Sequence, residues 1–119
     1  MICRLWRGWT TPENALAYQT LLKGEIMPGI RARDIRGLLT HQALKRETIG
    51  EDGTPEIEHM TLIWFASLED VKGFVGEDYT VANMPVAAKA VLKRWDKRVL
   101  HFDIFDDPDE MTGAGTGTG

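Results

Sequence analysis

The chain has 119 residues, 43% of them hydrophobic and 27% charged, which is the balance of one globular domain rather than of a disordered chain. The formal net charge is −4 and no run of lysine and arginine stands out, so composition argues against a nucleic-acid partner. No apolar stretch approaches the ~20 residues of a membrane span, and two arginines interrupt the place where a secretory signal needs its hydrophobic core. The lone Cys3 excludes an internal disulfide, and these features together predict a cytoplasmic protein without a membrane partner.

The first half of the chain predicts a strand, a helix and a long hairpin. Residues Ile2 to Thr10 are rich in β-forming side chains and predict the first strand. Thr11-Pro12-Glu13 is typical of a helix start, and Pro28-Gly29 is expected to stop that helix. The second strand is predicted from Ile35 to Arg46 and the third from Glu56 to Phe65. The short connection between them, rich in Gly, Asp and Pro, makes the pair an antiparallel hairpin.

The third strand changes character along its length. Glu56 to Met60 alternates between polar and apolar residues, whereas Leu62 to Ala66 is continuously apolar. Alternation is typical of a strand with one wet face, and a continuous run is typical of a strand buried on both faces. Helices can cover only one face of a four-stranded α+β sheet, so a second copy of the chain is predicted to cover the other.

The second half predicts two more helices and a last strand. Ser67 caps a short helix that ends at Gly76. A further helix is expected from Pro85 to Arg94, and the last strand from Lys97 to Phe105. Residues 106–119 predict a flexible tail, first acidic and then rich in Gly and Thr. The predicted order is β-α-β-β-α-β, a ferredoxin-like α+β domain over residues 1–105 with a four-stranded antiparallel sheet.

Several short segments follow one another in a characteristic order: Ile2-Cys3-Arg4-Leu5-Trp6-Arg7-Gly8, Thr11-Pro12-Glu13, Met27-Pro28-Gly29, Trp64-Phe65-Ala66-Ser67-Leu68-Glu69-Asp70 through Gly76-Glu77-Asp78, and Asp96-Lys97-Arg98-Val99-Leu100-His101-Phe102. In order and spacing they resemble the antibiotic-biosynthesis-monooxygenase (ABM) domain family. The resemblance implies a dimeric α/β barrel, in which two four-stranded sheets pack face to face, and a pocket inside each subunit between sheet and helices. It also implies oxidation of polycyclic phenols or hydroquinones by oxygen with no metal or flavin cofactor, while another branch of the family degrades haem.

Two features depart from the family pattern. Family members often place tryptophan directly before a polar residue and the helix-capping serine, whereas here Phe65 holds that place and Trp64 precedes it. A shift of one residue in a strand moves a side chain to the opposite face. The haem-degrading branch uses an asparagine on the first strand and a histidine in the second helical region, and neither is present here. The sequence therefore argues against haem chemistry of that kind.

Three side chains are candidate catalytic groups. His101 and Asp103 stand two apart on the predicted last strand, so both point to the same face. A carboxylate there would orient the imidazole as a general base, which would remove a phenolic proton before the ring reacts with oxygen. His59 on the third strand is expected near His101, although two histidines without a further spaced ligand are too few to indicate a metal. The alternative is that His101 makes a structural hydrogen bond while Asp103 is solvated.

The candidate substrate-binding residues are four aromatic side chains and one arginine, namely Trp64, Phe65, Trp6, Tyr79 and Arg4. Flat rings would line a slot for a planar aromatic ligand, but the same residues would also form an ordinary core. Arg4 and Arg7 lie on opposite faces of the first strand, and whichever points inward needs a carboxylate partner or an anionic ligand. Two functions remain open: a cofactor-free monooxygenase, and a non-catalytic dimeric module that binds a hydrophobic metabolite.

Overall fold

The computed structural model describes residues 1–106, so the predicted tail lies outside the described residues apart from Asp106. Within that range the strands are β1 (Ile2–Thr10), β2 (Leu38–Ile49), β3 (Pro55–Phe65), β4 (Arg94–Trp95) and β5 (Leu100–Asp103). The α-helices are α1 (Ala15–Leu21), α2 (Met27–Ala32), α3 (Leu68–Val75) and α4 (Val86–Val91). A 3₁₀ turn (Pro12–Asn14) precedes α1, and a π-helical turn (Leu22–Ile26) joins α1 to α2.

The strands form one antiparallel sheet in which β2 pairs with β3 and β3 pairs with β1. The short strands β4 and β5 share the other edge of β1, where Gly8 faces Trp95 and Arg4 faces His101. The α+β class and the antiparallel sheet are therefore confirmed, and the order is consistent with a ferredoxin-like arrangement. The prediction of four strands is wrong, because the outer edge of β1 is covered by two separate pieces of chain.

The predicted end of the first helix at Pro28-Gly29 is also wrong, because helical backbone continues to Ala32. The N–H of Met27 donates to the carbonyl of Leu22, five residues back, which is the bond of a π turn. Pro28 is the second residue of α2 and has no N–H to donate, and the π turn just before it changes the hydrogen-bond pattern of the helix at that point.

Three other boundaries differ from the predictions. The second strand begins at Leu38 rather than Ile35 and runs on to Ile49. The last helix ends at Val91, and the chain then becomes extended because Lys93 N–H donates to the carbonyl of Trp9 at 2.7 Å. The last strand covers Leu100–Asp103, shorter than the predicted Lys97 to Phe105.

The helices all pack on one face of the sheet. Two buried clusters lie there, one made of Tyr18, Leu22, Met27, Ala88 and Leu92, and the other of Ile2, Ile63, Phe65 and Val71. Because side chains alternate along a strand, the residues of β1 and β3 between these positions point to the opposite face. Within residues 1–106, no helix has the length and apolar character needed to cross a membrane.

The opposite face of the sheet, called the open face below, carries apolar side chains that no described helix covers. They are Cys3, Leu5, Leu44, Met60, Leu62, Trp64, Leu100 and Phe102. Leu44, Leu100 and Phe102 are 46%, 48% and 50% exposed. One half of β3 is therefore apolar on both faces, as its continuous run predicted, while in the single chain its outward side chains remain partly exposed.

Candidate functional site

A cavity of about 530 Å³ lies between the sheet and the helical layer, and it is called the sheet–helix cavity below. Its floor is formed by side chains of β1 and β3, including Arg4, Trp6 and Thr61. The π turn and α2 form one wall, and Phe74 of α3 with the segment 82–85 forms the other. This volume falls within the ~300–1,000 Å³ of small-molecule sites, most of which are apolar with few polar groups.

Arg4 is the inward arginine, and it is 8% exposed. Its Nη1 donates to the carbonyl of Tyr79 at 2.8 Å and to Nε2 of His101 at 2.9 Å. Its guanidinium also stands 5.9 Å from the centre of the Phe74 ring. Burial lowers the pKa of Arg4 to about 10, so the side chain keeps its charge at neutral pH.

His101 is placed beside Arg4 rather than in the lining of the cavity. A guanidinium can only donate, so Nε2 of His101 accepts and the proton of the neutral ring is on Nδ1. Burial and then the charge of Arg4 lower the pKa of His101, which disfavours a second proton. The ring also packs edge-on against Tyr79 at 5.1 Å between centroids. His101 therefore holds Arg4 and the Tyr79 segment together.

Asp103 and His59 are not brought into contact with His101. Asp103 is exposed opposite Ile2, and among residues 1–106 no hydrogen bond joins it to His101. His59 faces Gly8, four residues further along β1 than the partner of His101. Its Nε2 lies 3.0 Å from Oγ1 of Thr10, and burial lowers its pKa. The three candidates form two separate polar contacts instead of one cluster.

The four predicted aromatic residues lie in four different places. Trp6 lines the cavity and its Nε1 donates to the carbonyl of Asp96 at 2.9 Å. Phe65 is fully buried in the core beside Phe74, with ring centroids 5.6 Å apart. Trp64 pairs with Cys3 on the open face, and Tyr79 contributes its carbonyl and ring next to Arg4.

Sequence reasoning missed several lining residues, notably Tyr18, Arg33, Thr61, Phe74 and Asn83. Burial raises the pKa of Tyr18 to about 12, and this effect outweighs that of the hydrogen bond with Thr61, which lowers the pKa. Arg33 donates from Nη2 to the Phe74 carbonyl at 3.1 Å and stands 4.9 Å from that ring's centre. Tyr18 and Phe74 each recur with apolar neighbours at helical spacing, which is a signal that could have identified them, but no local signal identifies Arg33 or Asn83 as cavity residues.

A second cavity, also about 530 Å³, lies between β2 and the first helical segment. Its charged lining is basic and comes from Lys23, Arg31 and Lys45. Arg31 Nη1 donates to Nε2 of His41 at 2.8 Å, and burial and then the charge of Arg31 lower the pKa of that histidine. These basic side chains are mostly exposed, so their charges are solvated.

No group of three or more His, Cys, Asp or Glu side chains within the described part of the chain is arranged to hold a metal ion. Comparison with protein-family models gives no match, and none of the curated proteins compared matches the chain. Membership of the ABM family therefore stays a prediction that depends on the residues alone.

Proposed function

We propose that the sheet–helix cavity binds a small planar aromatic molecule and that the chain, as an ABM-type homodimeric α/β barrel, oxidises it with molecular oxygen. The observation that carries the proposal is the cavity itself, which combines a largely apolar lining with one buried guanidinium. Trp6 on the floor and Phe74 on the wall offer flat surfaces to a ring. The proposed substrate is a phenol or hydroquinone, and no resident cofactor is part of the proposal.

The proposed reaction consumes one oxygen molecule for each quinone formed. The phenol loses its hydroxyl proton, and the electron-rich ring carbon of the phenolate transfers one electron to oxygen. The two radicals combine to a ring hydroperoxide, whose O–O bond then breaks as the proton on that carbon leaves. One oxygen atom stays in the quinone and the other leaves as water. Arg4 stabilises the phenolate in a site lined mostly by apolar side chains.

His101 remains the proposed base, with a condition set by the geometry. Its Nε2 accepts an N–H of Arg4, so it can take a proton only when Arg4 turns from the ring nitrogen towards the substrate oxygen. The roles of Asp103 in orienting His101, and of His59, Phe65 and Tyr79 around a substrate, stay predictions, whereas Trp64 points to the open face and is not part of this proposal.

The open face supports the dimer. It carries a row of partly exposed apolar side chains on the two central strands and on β5. Large exposed apolar patches on soluble proteins usually mark interfaces, and a standard interface buries about 800 Å² on each partner. A second copy would present the same apolar strands in a self-complementary contact.

One observation favours the alternative, a dimeric module that binds a hydrophobic metabolite without turnover. Among the described residues, the titratable groups that line the cavity are Arg4, Arg33 and Tyr18. Arginine is a poor base because it is protonated at neutral pH, and the pKa of Tyr18 is raised to about 12. A ligand in the cavity thus meets no ready proton acceptor unless His101 is freed.

Thermal unfolding with planar phenols and hydroquinones, and with haem and flavin as comparators, tests the binding step. A ligand at ~100 times its Kd adds about 2.7 kcal/mol to the free energy of unfolding, a rise of roughly 10 °C in Tm for a domain of this size. Trp6→Leu should weaken binding of the phenol, whereas Trp64→Leu, the matched change on the open face, should leave the affinity unchanged.

Oxygen uptake then separates the two functions. One oxygen consumed per quinone formed supports the monooxygenase, and ligand binding without oxygen uptake supports the binding module. If every phenol leaves Tm unchanged, or if Trp64→Leu and Trp6→Leu weaken binding equally, the sheet–helix cavity is not the site.

A further inference from the structure

We infer that the sheet–helix cavity selects an aromatic anion, whose carboxylate or phenolate oxygen accepts the unused N–H groups of Arg4. The inference rests on the proposed function only in taking this cavity as the ligand site. It makes no use of the oxidation step, and it holds equally for the binding module.

Arg4 differs from the other buried charged side chains in having no oppositely charged partner. The charged residues that are buried within residues 1–106 are Arg4, Glu56 and Glu58. Glu56 lies 2.9 Å from both Lys93 Nζ and Arg94 Nη2. Glu58 lies 3.1 Å from Arg46 Nη2. In the same part of the chain no carboxylate lies within ion-pair distance of Arg4, whose hydrogen-bond partners are a backbone carbonyl and a neutral imidazole.

The hydrogen-bond count leaves donors free on the guanidinium of Arg4. A guanidinium has five N–H groups, and Nη1 uses its two on Tyr79 and His101. Nε and Nη2 have no hydrogen-bond partner among the described residues. In the same residues every fully buried side-chain nitrogen or oxygen has a partner, so these two nitrogens are not fully buried. Arg4 is also one of the residues that line the cavity. Two parallel N–H groups in this fork match the two oxygens of a carboxylate.

The charge of the lining supports the same inference. Its charged residues are Arg4, which is buried, and Arg33, which is exposed, so the lining carries two positive charges although the whole chain has a net charge of −4. The two guanidiniums stand at 5.9 and 4.9 Å from the centre of the Phe74 ring. An aromatic anion that stacks near Phe74 would place its charge between two cations, whereas an aromatic cation would be repelled.

Arg4 is also held in place before any ligand arrives. Tyr79 and His101 fix one end of the guanidinium from two different segments of the chain. A buried, unpaired charge is costly, and an anionic ligand offsets that cost by supplying the missing partner. A preorganised cation loses little conformational entropy when it binds.

Calorimetric titration of the full-length chain with 2-naphthoate and its neutral isostere 2-naphthamide tests the inference. We expect 2-naphthoate to bind at least ten times more tightly than 2-naphthamide. Arg4→Met should reduce that ratio to about 1 while changing the Kd for 2-naphthamide less than threefold, and Arg4→Lys should restore part of the preference. Arg7→Met, the matched change on the other face of β1, should keep the full ratio.

A 2-naphthol titration followed by absorbance distinguishes the two anion sources. If the natural ligand is a phenol, bound naphthol should ionise at a lower pH than free naphthol in the wild type, and this shift should vanish in Arg4→Met. A carboxylate preference without that ionisation shift identifies the anion as a carboxylate. Circular dichroism establishes that each variant is folded; if Arg4→Met does not fold, the wild-type ratio and Arg4→Lys decide.

Equal affinity for naphthoate and naphthamide in the wild type overturns the inference and leaves the proposed function in place. A naphthoate preference that persists in Arg4→Met also overturns it, because the anion then binds elsewhere, as in the basic cavity beside β2. Failure of all the probes to bind counts against the inference and against the proposed ligand site together.

Discussion

Replacing Leu62 with lysine tests whether the open face of the sheet is a subunit interface. Leu62 lies on the central strand β3, opposite Leu5 of β1 and Gln42 of β2, and its side chain is partly exposed. A lysine at this position can direct its ammonium into water in a single chain. In a dimer that packs two sheets face to face, the same ammonium would be enclosed between apolar strands.

The expected change in the dimer Kd follows from the surface that the second copy would bury. Covering the exposed part of a half-buried leucine contributes about 1 kcal/mol, so losing it from both copies costs about 2 kcal/mol. Two unpaired ammonium groups that relax towards the wet rim add about 2 kcal/mol more, less than full removal from water would cost. A total of about 4 kcal/mol corresponds to a rise of roughly 1,000-fold in the dimer Kd.

Sedimentation velocity over a range of protein concentrations measures this effect. We expect the wild type to sediment as a dimer and Leu62→Lys as a monomer at the same concentration, with unchanged far-ultraviolet circular dichroism. Val86→Lys is the matched control, because Val86 is 83% exposed on α4 and lies away from the open face. A Leu62→Lys protein that sediments like the wild type, or a wild type that is monomeric throughout, refutes the interface.

Three further predictions concern the folded chain. Gly8→Ala places a methyl carbon 2.8 Å from the ring of Trp6, so it should lower the free energy of unfolding by about 1–3 kcal/mol and shift tryptophan emission, whereas Gly24→Ala, with no atom within 4 Å, should not. Lys93 and Arg94 lower the pKa of Glu56. The contribution of this carboxylate to the free energy of unfolding is therefore complete above the ordinary pKa of 4.5, and it is lost as the pH falls through the lower pKa of the folded state. Glu56→Gln should therefore cost about 1–2 kcal/mol in urea unfolding at pH 7 and progressively less as the pH falls below 4.5; a loss that does not change with pH would contradict this. Burial and a neighbouring guanidinium lower the pKa of His101, so Tm should drop as pH falls below the ordinary value of 6.5, and the drop should be smaller in His101→Gln.

The elements that the sequence predicted well carry local signals. The bounds of β1 are as predicted, Ile2–Thr10, because a run of β-forming residues ends at a helix cap. The helix α3 follows its cap at Ser67, whose Oγ accepts from the N–H of Asp70 at 3.2 Å. It ends before Gly76, whose φ of +93° favours glycine.

The features that were missed depend on contacts between distant parts of the chain. The strand β4 exists because Arg94–Trp95 pairs with Gly8 and Trp9 of β1, and nothing in the local sequence separates it from the end of a helix. Which of the two arginines of β1 points towards the helices also depends on contacts with distant residues. Arg7 points to the open face, where its Nε donates to Asp96 Oδ2 at 2.9 Å, and Arg4 points to the helices. The partners of Arg4 are 75 and 97 positions away and that of Arg7 is 89 away, so alternation alone could place the arginines on opposite faces without identifying the inner one.

Two local irregularities border the cavity above Arg4, one at its floor and one at its wall. The ring of Trp6 leans over Gly8, where any side chain would collide with it, and its Nε1 is tied to the Asp96 carbonyl at 2.9 Å. The ring therefore lies towards the end of β1 and away from Arg4. On the opposite wall the π turn adds one residue to the helix before Pro28, which displaces the residues that follow. The space at Arg4 is thus bordered by features that a glycine and a helix bulge help to set, and neither is among the hydrogen-bond or ring partners of the guanidinium.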